Sequence, residues 1–311
     1  MQAHAVVFQN PKHLELRGLD LRAPGAGEIE VDIEFSGIST GTERLLWDGS
    51  MPAFPGMGYP LVPGYESVGR VAHVGADTTL KVGSRVFVPG AQCFEGVRNL
   101  FGGSASRLVV REERTVAVQD HLGARAVLLA LAATSQHTLA NQVAPDLIIG
   151  HGVMGRLLAR LSVAAGHAAP TVWEVNAGRH SGADGYAVVN PADDARRDYR
   201  AIYDVSGDSE ILDKAIARLA PGGEVVLAGF YKQSLNFAFA PAFMRETRIR
   251  IAAQWKREDL VVVTDLAHSG KLNLDGLITH TEKPANAASA YEVAFGDAAC
   301  LKMILDWNHS A

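Results

Sequence analysis

The chain has 311 residues, 48% hydrophobic and 20% charged, with a formal net charge of -5. That length exceeds what one hydrophobic core usually serves, so two domains are expected, and the negative balance argues against a nucleic-acid surface, which needs a basic face. No apolar run reaches bilayer length, no basic-then-apolar leader opens the chain, and two cysteines, Cys93 and Cys300, make neither a disulfide framework nor a thiolate cluster; a cytoplasmic protein is expected.

Residues 3–9 and 28–35 read as strands, the second alternating acidic and apolar side chains as a sheet with one wet face should. Pro24 to Gly27 turns the chain between them. The stretch 48–64, crowded with Pro and Gly, reads as irregular. Strands follow at 67–74, 85–88 and 106–110, which makes a β-rich unit over roughly the first 120 residues.

Beyond that point the pattern changes. Residues 128–140 carry Ala and Leu at helical spacing, and from Asp146 strands and helices alternate. Strands are predicted at 146–150, 171–175, 186–190, 201–205, 224–229 and 248–253, with helices at 153–165, 209–220 and 257–268. Alternating units with short loops imply a doubly wound parallel sheet. The segment 176–199 is too polar for a crossover helix, so a compressed connection is expected there.

Within this half lies Gly150-His151-Gly152-Val153-Met154-Gly155, a G-x-G-x-x-G run with an apolar strand before it and a helix after it. Gly150 permits the tight turn, Gly152 lets backbone approach a pyrophosphate, and Gly155 lets the helix pack on the strand. The phosphates would sit on the N–H groups of Val153 and Met154 at the helix start. Glu174 ends the next strand about 20 residues on, where a carboxylate accepts the ribose 2′-hydroxyl and repels a 2′-phosphate, favouring NAD over NADP. Arg179, just beyond, is the residue that could instead embrace a 2′-phosphate. Ser206, Gly207, Gly229 and Phe230 end later strands and should face the same crevice. Of His151 the backbone N–H is expected to matter more than the ring.

A β-rich first unit, a G-x-G-x-x-G unit and a late Leu219-Ala220-Pro221-Gly222-Gly223-Glu224 strand entry together resemble the medium-chain dehydrogenase/reductase superfamily. Pro63-Gly64-Tyr65-Glu66 looks like its P-G-H-E segment, and Lys81-Val82-Gly83-Ser84-Arg85-Val86 like its K-x-G-D-R-V turn. The resemblance implies a GroES-like catalytic domain (1–120 with 275–311) and a Rossmann domain (121–274). The runs 36–47, 51–66, 203–208 and 299–307 are similar, more narrowly, to the bacteriochlorophyllide dehydrogenase family of bacteriochlorophyll synthesis. That likeness implies a bacteriochlorophyllide substrate whose 3-(1-hydroxyethyl) group is oxidised to 3-acetyl with hydride passing to NAD(+). On analogy with the superfamily, a homodimer would pair strand 248–253.

Zinc-dependent members of the superfamily hold their metal with a Cys, the His of G-H-E, and a Cys or acid. The matching positions here are Ser39, Tyr65 and the neighbourhood of Ala130, and hydroxyls are poor zinc ligands, so no metal is expected; the alternative is a metal built from Glu43, Glu66 and a His, which tetrahedral sites disfavour against N/S ligands. The alcohol proton must then leave through side chains: Tyr65 is the first candidate, Ser39 or Thr40 the relay, and Glu66 either a proton carrier or a structural acceptor. The competing reading is that Tyr65 and Ser39 fill the space of a lost metal, and that His137 is a packed helix residue. A flat pigment needs aromatic and Met walls; Trp47, Met51, Phe54, Met57 and Tyr59 are candidates from the long loop, and Tyr231 from the other half. Two other functions stay open: a zinc-free NADP-dependent quinone or enone reductase, and a non-catalytic dinucleotide-binding protein.

Overall fold

The computed structural model describes residues 2–252 and 254–308. The chain divides into two compact units, 1–130 with 274–311, and 131–273. The first domain thus runs past residue 120, to Ala130.

In the first unit the long strand Glu28–Ile38 is the axis. It pairs antiparallel with Ser67–Val74, Arg107–Arg111 and the late strand Met303–Asp306, which the chain brings back from its C-terminal end. The alternation of acids on this strand does not give a plain wet face. Glu30 is fully buried, with Arg107 at 3.2 Å and His73 at 3.0 Å, and Glu34 is held by Arg70 at 2.9 Å and Arg85 at 2.6 Å. Arginines from other strands of the sheet, with the His73 ring, cover the acidic row, which a single-strand pattern cannot reveal. A second sheet is built on the hairpin Gln2–Asn10 and His13–Asp20. The latter strand was not predicted; most of its side chains are exposed, so its partner rather than its own pattern fixes it. The stretch read as irregular contains the short strand Leu61–Pro63, parallel to Arg98–Leu100, and it follows an unpredicted helix, Thr42–Asp48.

The second unit is a six-stranded, wholly parallel sheet. In spatial order its strands are Ala187–Val189, Thr171–Trp173, Leu147–Ile149, Tyr199–Asp204, Leu219–Leu227 and Arg248–Ile251. Direction of winding reverses between Leu147–Ile149 and Tyr199–Asp204, the place where doubly wound sheets bind ligands. Leu147, Ile149, Ile202 and Val225 face one core, while Ile148, Val172, Tyr203 and Val226 face the other. Period-two alternation with both faces apolar is why these strands read as unbroken hydrophobic runs.

Helices Val153–Ala164 and Arg257–His268 fall where the periodicity placed them. The predicted helix 209–220 is shorter, Ile211–Ile216, because the chain is already extended from Leu219 and Pro221-Gly222-Gly223 lies within that extended run. The predicted strand 248–253 is extended over Arg248–Ile251, and its last position, 253, lies outside the described residues. Between Trp173 and Tyr199 no α-helix forms; there is a single 3-10 turn, Ala177–Arg179, then the strand Ala187–Val189 and a hydrogen-bonded turn at 191–193. Helix Val153–Ala164 supplies two buried cations in its place. Arg156 donates to the carbonyls of His151 and Arg179, both at 3.0 Å, and Arg160 to Asn273 at 2.8 Å. Within the connection itself the Arg179 carbonyl, and the Gly182 carbonyl that Arg160 reaches at 3.4 Å, thus find guanidinium donors where a crossover helix would have paired them internally.

Candidate active site

The glycine turn of the second unit has the geometry its spacing implies. Gly150 sits at φ 104°, and a Cβ on Gly155 would lie 1.9 Å from the Gly150 carbonyl oxygen, so helix and strand close only on glycine. Gly152 caps the helix without a side-chain bond, and a Cβ there would meet nothing within 4 Å. Open space beside the unpaired N–H groups of the first turn, at Val153 and Met154, fits a pyrophosphate. Glu174 is buried and accepts from the backbone N–H of His151 at 3.1 Å and of Asn176 at 2.8 Å. The His151 N–H is therefore spent on Glu174, while the spare lone pairs of that carboxylate remain suited to a ribose hydroxyl. The His151 ring lies between the Arg179 carbonyl, 2.6 Å, and the Tyr186 hydroxyl, 2.8 Å. Burial pushes its pKa down to about 4, so it is a neutral, wedged ring.

Ser206 and Gly207 follow strand Tyr199–Asp204, and Gly229 and Phe230 follow Leu219–Leu227, so all four gather at the carboxyl ends of adjacent strands. Phe230 is exposed. The organiser here is Asp204, which sequence reasoning passed over. Its carboxylate accepts from Ser206 Oγ at 2.7 Å, from Ser206 N–H at 3.1 Å and from the Tyr231 hydroxyl, and burial pushes its pKa up. The signal was present: a lone acid closing the apolar run Ala201-Ile202-Tyr203. Tyr231 is half-buried against this unit's core, its hydroxyl committed to Asp204.

In the first unit Tyr65 is the centre. Its hydroxyl lies 2.5 Å from Ser39 Oγ and 3.0 Å from Thr42 Oγ1, and its ring stands edge-on to Phe101 at 5.6 Å. Burial, with the nearby Glu66 charge, raises the phenol well above its ordinary range. Ser39 is buried, whereas Thr40 is exposed; Thr42, two residues further on at the start of helix Thr42–Asp48, is the threonine that reaches Tyr65. Glu66 is fully buried and takes Lys302 Nζ at 2.7 Å on one oxygen, while the other has no hydrogen-bond partner. Lys302 also donates to the Ile38 carbonyl at 3.1 Å, next to Ser39. Gly37 exists for this pair, since a Cβ there would lie 2.2 Å from Glu66 Oε2. Neither Lys302 nor Thr42 stands out in sequence, because each acts through a partner more than 20 positions away.

Of the five wall candidates, Trp47 lies on helix Thr42–Asp48 rather than on the loop, and it, Met51, Met57 and Tyr59 pack against the core of this unit; Phe54 is 39% exposed. His137 is paired with Asp259 at 2.8 Å. Among the described residues no group of three or more His, Cys, Asp or Glu is placed to hold a metal ion.

Residues 25–120 match the alcohol dehydrogenase GroES-like domain family. Over 318 aligned residues spanning both chains entirely, the sequence is 53% identical to the 2-desacetyl-2-hydroxyethyl bacteriochlorophyllide A dehydrogenase of Cereibacter sphaeroides. The protein of that name from Rhodobacter capsulatus is likewise 53% identical, over 99% of each chain. The chain belongs to this dehydrogenase family. Among solved structures, the 2R,3R-butanediol dehydrogenase of Bacillus subtilis superposes with a TM-score of 0.84 at 20% identity, covering 98% of this chain and 99% of that one, a likeness of fold. Within the bacteriochlorophyllide A dehydrogenase family, then, this member carries the hydroxyls of Ser39 and Tyr65 where a thiolate and an imidazole would suit zinc, with Thr42 as a further hydroxyl beside Tyr65.

Proposed function

We propose that the protein oxidises the 3-(1-hydroxyethyl) group of a bacteriochlorophyllide to a 3-acetyl group, with NAD(+) as acceptor and without zinc. The observation that carries this reading is membership of the family at 53% identity along the whole chain. The glycine turn and Glu174 are the residues that would hold the dinucleotide, and bound NAD(+) supplies the hydride acceptor. Tyr65 would accept a hydrogen bond from the substrate hydroxyl. Its raised pKa makes it a neutral relay rather than a standing phenolate: it takes the alcohol proton on Oη as it passes its own to a hydroxyl neighbour. Ser39, buried, fixes the phenol; Thr42, half-buried, offers the way out. Glu66 serves as the structural acceptor for Lys302. Phe54, on the 51–63 loop, is the side chain of that loop we assign to the pigment face, with Trp47, Met51, Met57 and Tyr59 shaping the loop beneath.

A reducing cytoplasm is the proposed setting, supported by the two buried thiols of Cys93 and Cys300. The edge strand Arg248–Ile251, with Ile249 and Ile251 exposed, is the element on which a second copy of the chain would pair. The deciding experiment mixes purified protein with hydroxyethyl-bacteriochlorophyllide and either NAD(+) or NADP(+), following pigment and nicotinamide absorbance together. One NADH formed per acetyl pigment, with NADP(+) much slower, is expected. No turnover with either cofactor would sink the reading, and preference for NADP(+) would reassign Glu174.

A further inference from the structure

Behind the Tyr65 cluster lies a carboxyl group that the mechanism above does not use. Glu43, on the first turn of helix Thr42–Asp48, is 1% exposed. One oxygen accepts the backbone N–H of Ser39 at 2.9 Å and the other accepts the hydroxyl of Tyr291 at 2.5 Å. Tyr291 is itself fully buried, on helix Ala287–Gly296, edge-on to Phe8 at 5.2 Å and Phe295 at 5.6 Å. The same residue, Ser39, thus gives its backbone to Glu43 and its hydroxyl to Tyr65.

We propose that Glu43 is a positioning residue for the oxidation, its buried negative charge fixing Ser39 and drawing the alcohol proton inward onto Tyr65. This rests on the reading of Tyr65 as the proton carrier. The physical need is specific to a site with hydroxyls in place of zinc ligands. A bound zinc stabilises an alkoxide by its positive charge; a hydroxyl relay instead has to attract the departing proton, and a fixed negative charge behind the relay does so through a low-dielectric interior. A charged acceptor also holds the Ser39 N–H more tightly than a neutral one.

The groups facing Glu43 are Tyr291, Glu66, Lys302 and Tyr65. Lys302, the cation among them, is bonded to Glu66 and to the Ile38 carbonyl, so Glu43 lacks a bonded counter-charge. Burial accordingly pushes Glu43 up to about 7, and the Tyr291 hydrogen bond works in the opposite direction. The proton-attracting charge is therefore lost as pH falls through neutrality, and turnover falls with it.

The test uses the whole protein, first without cofactor and then with NAD(+) and pigment. Tyrosine labelled with carbon-13 at Cζ reports each phenol by NMR. The resonances of Tyr65 and Tyr291 should titrate together with a midpoint near 7, and neither should do so in Glu43→Gln. In turnover, Glu43→Gln should lower kcat about tenfold, remove its acid limb and leave KM for pigment within about twofold. Tyr291→Phe should move the midpoint and the acid limb to higher pH, because the bond that favours the carboxylate is gone. A Tyr65 resonance that ignores the titration seen at Tyr291, or an acid limb unchanged in Glu43→Gln, overturns the proposal. Should the wild-type protein not oxidise the pigment at all, the functional reading fails, and the two tyrosine resonances still decide whether the Glu43 charge acts on Tyr65 through Ser39.

Discussion

Tyr65 bears the most direct consequence at the scale of single residues. Its hydroxyl is the atom that Ser39 and Thr42 both address, and Phe at this position keeps the ring against Phe101 while removing the relay. Tyr65→Phe should therefore lower kcat by about 100-fold or more, with NADH affinity and melting temperature almost unchanged; a kcat within a few-fold of wild type would return Tyr65 to the status of filler. Glu43 makes a separate prediction about stability. Its folded pKa, about 7, lies above the ordinary value of 4.5, so its contribution is fully present below pH 4.5 and is lost as pH rises through 7. Glu43→Gln removes that dependence. Denaturant unfolding at about pH 8.5 should show the Gln protein gaining stability over wild type, by on the order of 3 kcal/mol at most, with the gain shrinking toward about pH 5.

Elements divide the work between the units. The 51–63 loop is anchored by Met51 and Met57 on the core, and Tyr59 also donates to the Leu46 carbonyl, while Phe54 stays exposed. Shortening its central part, 53–57, should abolish pigment oxidation yet leave NADH binding, read by fluorescence titration, as in the intact chain. Equal loss of both would mean the loop supports the fold instead. In the second unit the missing crossover helix is the main departure from the doubly wound plan. Polarity and glycines between 176 and 199 announced it, but nothing in the sequence marks the compensating pair, Arg156 and Arg160, as buried. Their burial follows from the irregular chain lying over them, so only the assembled element shows why they are arginines.

For the whole molecule, the hydroxyl-lined centre makes a simple prediction about metal. Exhaustive treatment with a chelator, followed by dialysis, should leave both the melting temperature and pigment turnover unchanged; restoration of lost activity by added zinc would refute the relay. NADH at about 100 times its Kd should in turn stabilise the fold by about 2.7 kcal/mol through mass action, measured as a rise in melting temperature.

The alternation of strands and helices in the second unit, its parallel sheet and the glycine turn were legible in the sequence, because each depends on local periodicity or on the chemistry of one residue type; that Ser39 and Tyr65 lie together was legible only through the resemblance to the family motif. Glu174 was legible as an acid at a strand end, though not as a group already accepting two backbone N–H bonds. Thr42 in place of Thr40, the burial of Glu30, the Asp204–Tyr231 pair, the Glu66–Lys302 pair and the seat of Glu43 between Ser39 and Tyr291 were decided by tertiary structure alone. The reason is common to them all. A charge or hydroxyl is defined by what lies within about 3 Å of it, and for several of these side chains that neighbour is supplied by a distant segment, as when the returning C-terminal chain delivers Lys302 to Glu66 and Tyr291 to Glu43.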